Sequence, residues 1–132
     1  MTICKEYEFP LHGDENGSLV VMDKQSGVPF TAKRVYYLFG TAQGASRGFH
    51  AHKKLKQIII ALTGSVEIII DDGKNKETIV LDNPTKALHI HGLVWREIKN
   101  FDNCILNVLC DSVYSEDDYI RDYDEFLKLV NK

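Results

Sequence analysis

Short runs rich in β-branched residues alternate with turn signals along most of the chain. That pattern predicts a sandwich or barrel of many strands. Residues 18–23 (SLVVMD) follow a turn at 14–17 and predict a strand. Residues 32–39 (AKRVYYLF) predict a second, whose alternation sets Arg34, Tyr36 and Leu38 on one face and Val35, Tyr37 and Phe39 on the other. Small residues and glycines make 40–47 a loop, and 48–54 returns to extended structure. Residues 57–62 (QIIIAL) and 65–70 (SVEIII) flank Thr63-Gly64 and predict a hairpin. Asp72-Gly73 marks a strong turn before a strand at 76–81, and Asn83-Pro84 breaks the chain. Short strands follow at 87–91 and 95–99, and CILNVLC at 104–110 predicts a buried last strand. The period then changes. Ser115-Glu116-Asp117-Asp118 resembles a helix start, and Tyr119, Ile120, Tyr123, Phe126, Leu127 and Val130 recur at helical spacing. The expectation is an all-β barrel with a short amphipathic C-terminal helix.

Composition narrows this little. With 132 residues, 44% hydrophobic and 27% charged, the chain fits one globular domain, 1–132, able to bury a core. The formal net charge of −3 argues against wholesale binding to nucleic acid or an anionic membrane. A local basic patch at 47–56 remains for an anionic ligand. Cys4, Cys104 and Cys110 form no CxxC pair and are an odd number, so free buried thiols in a reducing cytosol are expected. The N-terminus MTICKEYEF has no signal-peptide character, and the longest apolar run, 58–62, is far too short to span a bilayer.

Chemistry concentrates in Arg47-Gly48-Phe49-His50-Ala51-His52-Lys53-Lys54-Leu55-Lys56-Gln57. On a strand, His50 and His52 project from one face about 6–7 Å apart, with Lys54 behind them if the strand continues. Three readings compete. The first is a metal site. The cupin pattern is HxH, three or four residues, Glu, six residues, Gly, then a later His. Gln57 and Gly64 keep that frame, but an amide replaces the Glu and Arg96 falls at the later His. An amide is a poor ligand and a cation repels a metal, so no metal is expected, although His89 and His91 are candidate substitutes. The second is metal-free acid/base catalysis. Imidazole takes and returns protons near neutrality, and Arg47 and Lys54 suit an enediolate or a phosphate. The third is structural, with two surface histidines on a basic strand.

Residues 29–39 (PFTAKRVYYLF) followed by RGFHAHKK at 47–54 resemble the dTDP-4-keto-6-deoxyglucose 3,4-ketoisomerases. The likeness extends through Asp71-Asp72-Gly73, Val94-Trp95 and the tail 118–124. It implies a cofactor-free cupin jelly roll, usually a homodimer that exchanges β-strands. It implies a dTDP-linked 4-keto-6-deoxy sugar whose carbonyl moves from C4 to C3 through an enediol or enediolate. It also implies a cytoplasmic role in deoxyamino-sugar synthesis for surface polysaccharide such as O-antigen. His50 and His52 fall on the family's histidine pair, with His50 expected as the base at C3. His52 would then reprotonate C4 or shuttle the hydroxyl proton, or the two exchange roles. Arg47 is expected at the pyrophosphate or the enediolate oxygen, and Tyr36, Arg34 and Gln57 as pocket lining. Two departures stand out. Asn16 precedes Gly17 where the family often has Arg, which bears on how that side of the ligand is held and on the C4 epimer formed. Trp95-Arg96-Glu97 replaces Trp-His-Glu, and Arg96 is a candidate for the diphosphate. The alternatives are a 3,5-epimerase of the related keto sugar, which needs a second acid on the opposite ring face, and a non-catalytic nucleotide-sugar-binding cupin.

Overall fold

A computed structural model describes residues 3–132. Ten strands and one helix follow in order: β1 Lys5–Glu8, β2 Leu11–Asp14, β3 Gly17–Val20, β4 Arg34–Leu38, β5 Arg47–His52, β6 Gln57–Asp71, β7 Lys76–Leu81, β8 Lys86–Ile90, β9 Trp95–Cys110, β10 Tyr119–Ile120 and α1 Tyr123–Val130. The expected hairpin at Thr63-Gly64 does not form. Residues 57–71 run as one strand of 15 residues, and the expected strands at 95–99 and 104–110 are likewise one strand of 16. These two long strands pair with each other from Gln57↔Cys110 to Asp71↔Trp95. Register shifts between Ala61 and Glu67 bend the pair. Gly64 marks the bend. Its φ of 63° is left-handed, and a Cβ there would collide with the Asp102 carbonyl. Thr63-Gly64 therefore signals a bulge rather than a reversal.

The bend makes two layers from one ladder. The first half of β6 and the second half of β9 carry β8 then β1 on one side and β4 on the other. The second half of β6 and the first half of β9 carry β7 on one side and β5 then β10 on the other. Between the layers lies the main core, including Ile59, Ala61, Val66, Ile68, Leu88, Leu106 and Val108. The alternation on β4 holds. Tyr36 and Leu38 pack on that core, while Val35 and Tyr37 are exposed. This is the cupin jelly roll with a short C-terminal helix, which the sequence predicts.

Two smaller clusters cover the outer faces. Phe9, Val28 and Phe30 cover Ile58, Ile60 and Ala87. Phe126 and its helix cover Ala51, Trp95 and Ile120. The helix begins later than expected. Residues 116–118 form a 3₁₀ turn, Tyr119 and Ile120 pair with His52 and Ala51, and Asp122 caps α1 by accepting from the Asp124 N–H. Strands β2 and β3 pair only with each other, as a separate two-stranded sheet.

Candidate active site

Strand β5 carries the two histidines, and its irregularity aims them. Arg47 pairs with Ile98, Gly48 with Glu97 and His50 with Arg96, so Phe49 is an extra residue. Gly48 has a φ of 91° and Phe49 a φ of 58°. A left-handed phenylalanine is strained, and such strain persists where the surroundings impose it. Here a Cβ on Gly48 would lie 2.9 Å from the Arg96 carbonyl oxygen. The bulge has a geometric effect. Arg47 and His50 are three apart, which regular alternation would send to opposite faces, yet both pair with inward residues of β9.

Arg47 and His50 line an open cleft of about 570 Å³ together with Arg34, Tyr36, Tyr119 and Arg121. A second cavity of about 550 Å³, beside the bend of β6 and β9, is lined by Phe39, Thr63, Asp102 and Asn103 among others and contains no imidazole or guanidinium. The chemistry points to the first. Beneath it the His50 and His52 rings sit edge-on, 4.9 Å between centroids, with the Tyr119 ring 4.9 Å from His50 and 4.3 Å from His52. His52 is fully buried. Its Nδ1 lies 3.1 Å from Asp118 Oδ2, and its Nε2 has no partner among the described residues. His50 Nδ1 is also buried and unpartnered.

Burial, reinforced by the Arg96 guanidinium, holds His50 down at about 4. Burial, Arg96 and then His50 push His52 further below the ordinary imidazole range. Both rings are therefore neutral bases at neutral pH.

Arg96 lies in the barrel interior, not at a position to meet a diphosphate at the mouth as the sequence suggested. Its Nη1 donates to Gln57 Oε1 and its Nη2 to the Val94 carbonyl at 3.2 Å, while Nε has no partner. No carboxylate pairs with it among the described residues. Burial lowers it to about 10, so it stays charged. Gln57 in turn donates to the Tyr36 hydroxyl at 3.2 Å. The two cupin positions that would complete a metal site thus hold an amide and a guanidinium bonded to each other, a donor set that does not fit a metal ion.

The other expectations divide. Arg34 lines the cleft, with its Nη2 donating to Cys110 Sγ at 3.4 Å. Lys54 does not. Strand β5 ends at His52, and Lys54 is exposed beyond it, its N–H donated to Asp118 Oδ1 at 2.8 Å. His89 and His91 replace nothing in the site. His89 pairs with Ile58, so it faces outward, buried against Tyr7 and Phe30, and His91 is exposed. The three cysteines are buried and free. Sequence reasoning missed Asp118, Tyr119 and Arg121 as site residues because helical periodicity absorbed them. The signal that separates them is Asp122 with Asp124 and Glu125, a second capping sequence seven residues after Ser115.

The family model described as "FdtA: WxcM-like, C-terminal" matches residues 2–131. A TDP-4-oxo-6-deoxy-alpha-D-glucose-3,4-oxoisomerase from Aneurinibacillus thermoaerophilus is 45% identical over 120 residues, covering 90% of this chain and 86% of that protein. A crystal structure of a 3,4-ketoisomerase from Helicobacter canadensis superposes with a TM-score of 0.95 at 41% identity, covering all of both chains. The sugar 3,4-ketoisomerase QdtA from Thermoanaerobacterium thermosaccharolyticum, solved in complex with TDP, gives 0.94 at 37% identity over 97% of this chain and 94% of that one.

Proposed function

The chain belongs to the FdtA (WxcM-like, C-terminal) family and is a TDP-sugar 3,4-ketoisomerase, and on that premise we propose that His50 and His52 carry its chemistry. Residues 1–132 act as one domain on a TDP-linked 4-keto-6-deoxyhexose. One observation carries the reading: two neutral imidazoles, His50 half-buried at the cleft and His52 buried behind it, stand beside a buried guanidinium that no carboxylate neutralises among the described residues.

The substrate bears a hydrogen and a hydroxyl on C3 and a carbonyl on C4. The carbonyl acidifies the C3 hydrogen. His50, which lines the cleft, takes that proton. The C3–H electron pair becomes the C3=C4 bond, and the C4=O π pair moves to O4. Arg96 supplies fixed positive charge to the enediolate without having to reorganise. His52 takes the O3 hydroxyl proton and passes it to O4. C3=O then forms, and C4 is reprotonated from the histidine pair. Two protons leave C3 and O3 and two arrive at C4 and O4. C3 is oxidised as C4 is reduced, so the balance needs no outside electron carrier. Arg47 and Arg121 at the mouth fit the diphosphate, and Arg34 and Tyr36 fit the sugar side, whereas Gln57, expected as pocket lining, is buried behind Tyr36 and donates to its hydroxyl.

The enzyme works as a homodimer with strand exchange. Support comes from hairpin β2–β3, which has no sheet of its own to join and exposes Leu11 and Leu19. Strand β4 pairs only with β9 and exposes Val35, Tyr37 and the adjoining Phe39. Strand β6 is flanked on both sides and offers no edge to a partner. A cytoplasmic site agrees with three free buried thiols. The 3-keto product is what amination needs, which places the reaction before deoxyamino-sugar formation for a surface polysaccharide.

An NMR time course with TDP-4-keto-6-deoxyglucose in deuterated buffer containing EDTA tests the reading. Expected are a 3-keto product carrying deuterium at C4, and its loss in His50→Asn with TDP still bound. Exchange at C3 and C5 without carbonyl movement would mean the 3,5-epimerase instead. Binding of the nucleotide sugar with no exchange would mean a binding module.

A further inference from the structure

The two histidines differ in what holds them. Only His52 has a carboxylate at a ring nitrogen, and that carboxylate comes from a segment outside the barrel ladder. Asp118 ends the 3₁₀ turn 116–118. Its Oδ1 accepts the Lys54 N–H at 2.8 Å, its Oδ2 the Leu55 N–H at 3.3 Å, and its carbonyl the Lys53 N–H at 2.9 Å. Three successive amides thus fix the aspartate where β5 ends. The oxygen left facing the imidazole lies 3.1 Å from Nδ1.

A carboxylate oxygen can only accept, so Nδ1 must donate. The proton on a neutral imidazole is then assigned to Nδ1, and Nε2 carries the lone pair. The surroundings of Nε2 agree. It is buried and unpartnered among the described residues.

We propose that Asp118 is a positioning residue of the isomerase: its carboxylate locks buried His52 in the Nδ1–H tautomer, so that Nε2 is always the acceptor. Building on the function above, the consequence is a division of labour. His52 is held ready to receive the O3 hydroxyl proton at Nε2, while His50 serves the carbon acid. The same 3₁₀ turn leads directly into Tyr119, whose ring packs on both histidines. Residues 116–120 therefore act as a strap that sets the orientation and the tautomer of the inner base together.

Asp118→Asn gives a sharp test. The Lys54 N–H bond at 2.8 Å is shorter than the Leu55 N–H bond at 3.3 Å, which favours the amide oxygen at Oδ1, so the Leu55 bond is given up and an NH₂ then stands where Oδ2 met Nδ1. It can only donate, which forces the proton of His52 onto Nε2 and blocks the acceptor. In ¹⁵N-histidine-labelled protein, two-dimensional NMR should show His52 protonated at Nδ1 in the wild type and at Nε2 in Asp118→Asn. With substrate, kcat should fall about 10²–10⁴-fold, the cost of a misplaced tautomer, while KM and TDP affinity change little. Asp118→Glu, which restores a carboxylate, should recover part of kcat. A wild-type His52 protonated at Nε2 would overturn the proposal, even if no variant folds. So would a soluble Asp118→Asn protein that keeps wild-type kcat. The tautomer is read on free enzyme, so a wild type with the expected tautomer but no turnover would refute the isomerase assignment and leave the Asp118–His52 relation standing.

Discussion

His89 offers a test of burial free of catalysis. It faces away from the cleft, packed edge-on against Tyr7 with ring centroids 5.6 Å apart and beside Phe30. Burial, then the like charges of His91, Lys56 and Lys5, hold it down at about 4, with Asp111 opposing. In the unfolded chain the same imidazole titrates near about 6.5. Between those values the unfolded chain binds a proton that the folded one does not. Stability must therefore fall as pH drops from about 6.5 toward 4. At pH 5, linkage gives a loss of about 2 kcal/mol for this single group relative to pH 8. His89→Phe keeps a ring among apolar neighbours and removes the titration. Urea unfolding at both pH values should show a variant near wild type at pH 8 and about 2 kcal/mol more stable than wild type at pH 5, with turnover unchanged. An equal pH slope in both proteins would show that His89 does not titrate as its burial requires, and would refute the reasoning.

Three further outcomes follow from the site. Arg96→Met should leave the melting temperature level or higher, because an unpaired buried charge is removed, while kcat falls about 10²–10³-fold. Gly48→Ala should cost about 1–3 kcal/mol in chemical denaturation, from a left-handed φ and the contact with the Arg96 carbonyl, and should weaken TDP binding as Arg47 turns away. Tyr37→Glu on the exposed face of β4 should shift sedimentation from dimer to monomer if the open edge is the interface.

The layering of the barrel was legible in the residues because alternation at 34–39 and the apolar runs at 57–62, 65–70 and 104–110 report one buried face or two. What was not legible is where a run ends. Thr63-Gly64 reads as a reversal from composition. Whether a left-handed glycine turns the chain back or only bends it depends on the partner strand, here Asp102 and Asn103 far along the sequence. The site divides in the same way. HxH and its arginine were visible because they are local. Lys54 was misplaced by assuming that β5 continues, whereas the Asp118 carboxylate ends it. Asp118 and Tyr119 lie more than sixty residues away, and their apolar neighbours fit a helical period that the two-residue pairing with β5 overrides.

The paired strands β6 and β9 also determine how the molecule opens. Neither layer can come apart without breaking the ladder that the other also uses, so local fluctuation is confined to the elements hung on its margins: the β2–β3 hairpin, the 116–120 strap and α1. In native-state hydrogen exchange, the amides of Ile58, Ile60 and Val108 should be the last to trade protons, at the free energy of global unfolding. Even the ladder's most local rung, Asp71 to Trp95, closes a loop that holds β7 and β8, and every further rung joins residues farther apart in the chain, so entropy is lost before the pairing repays it. That sets a slow folding rate of the kind seen in barrels of high contact order. It also leaves the catalytic strap, which can dock only on a finished β5, as the last part to form.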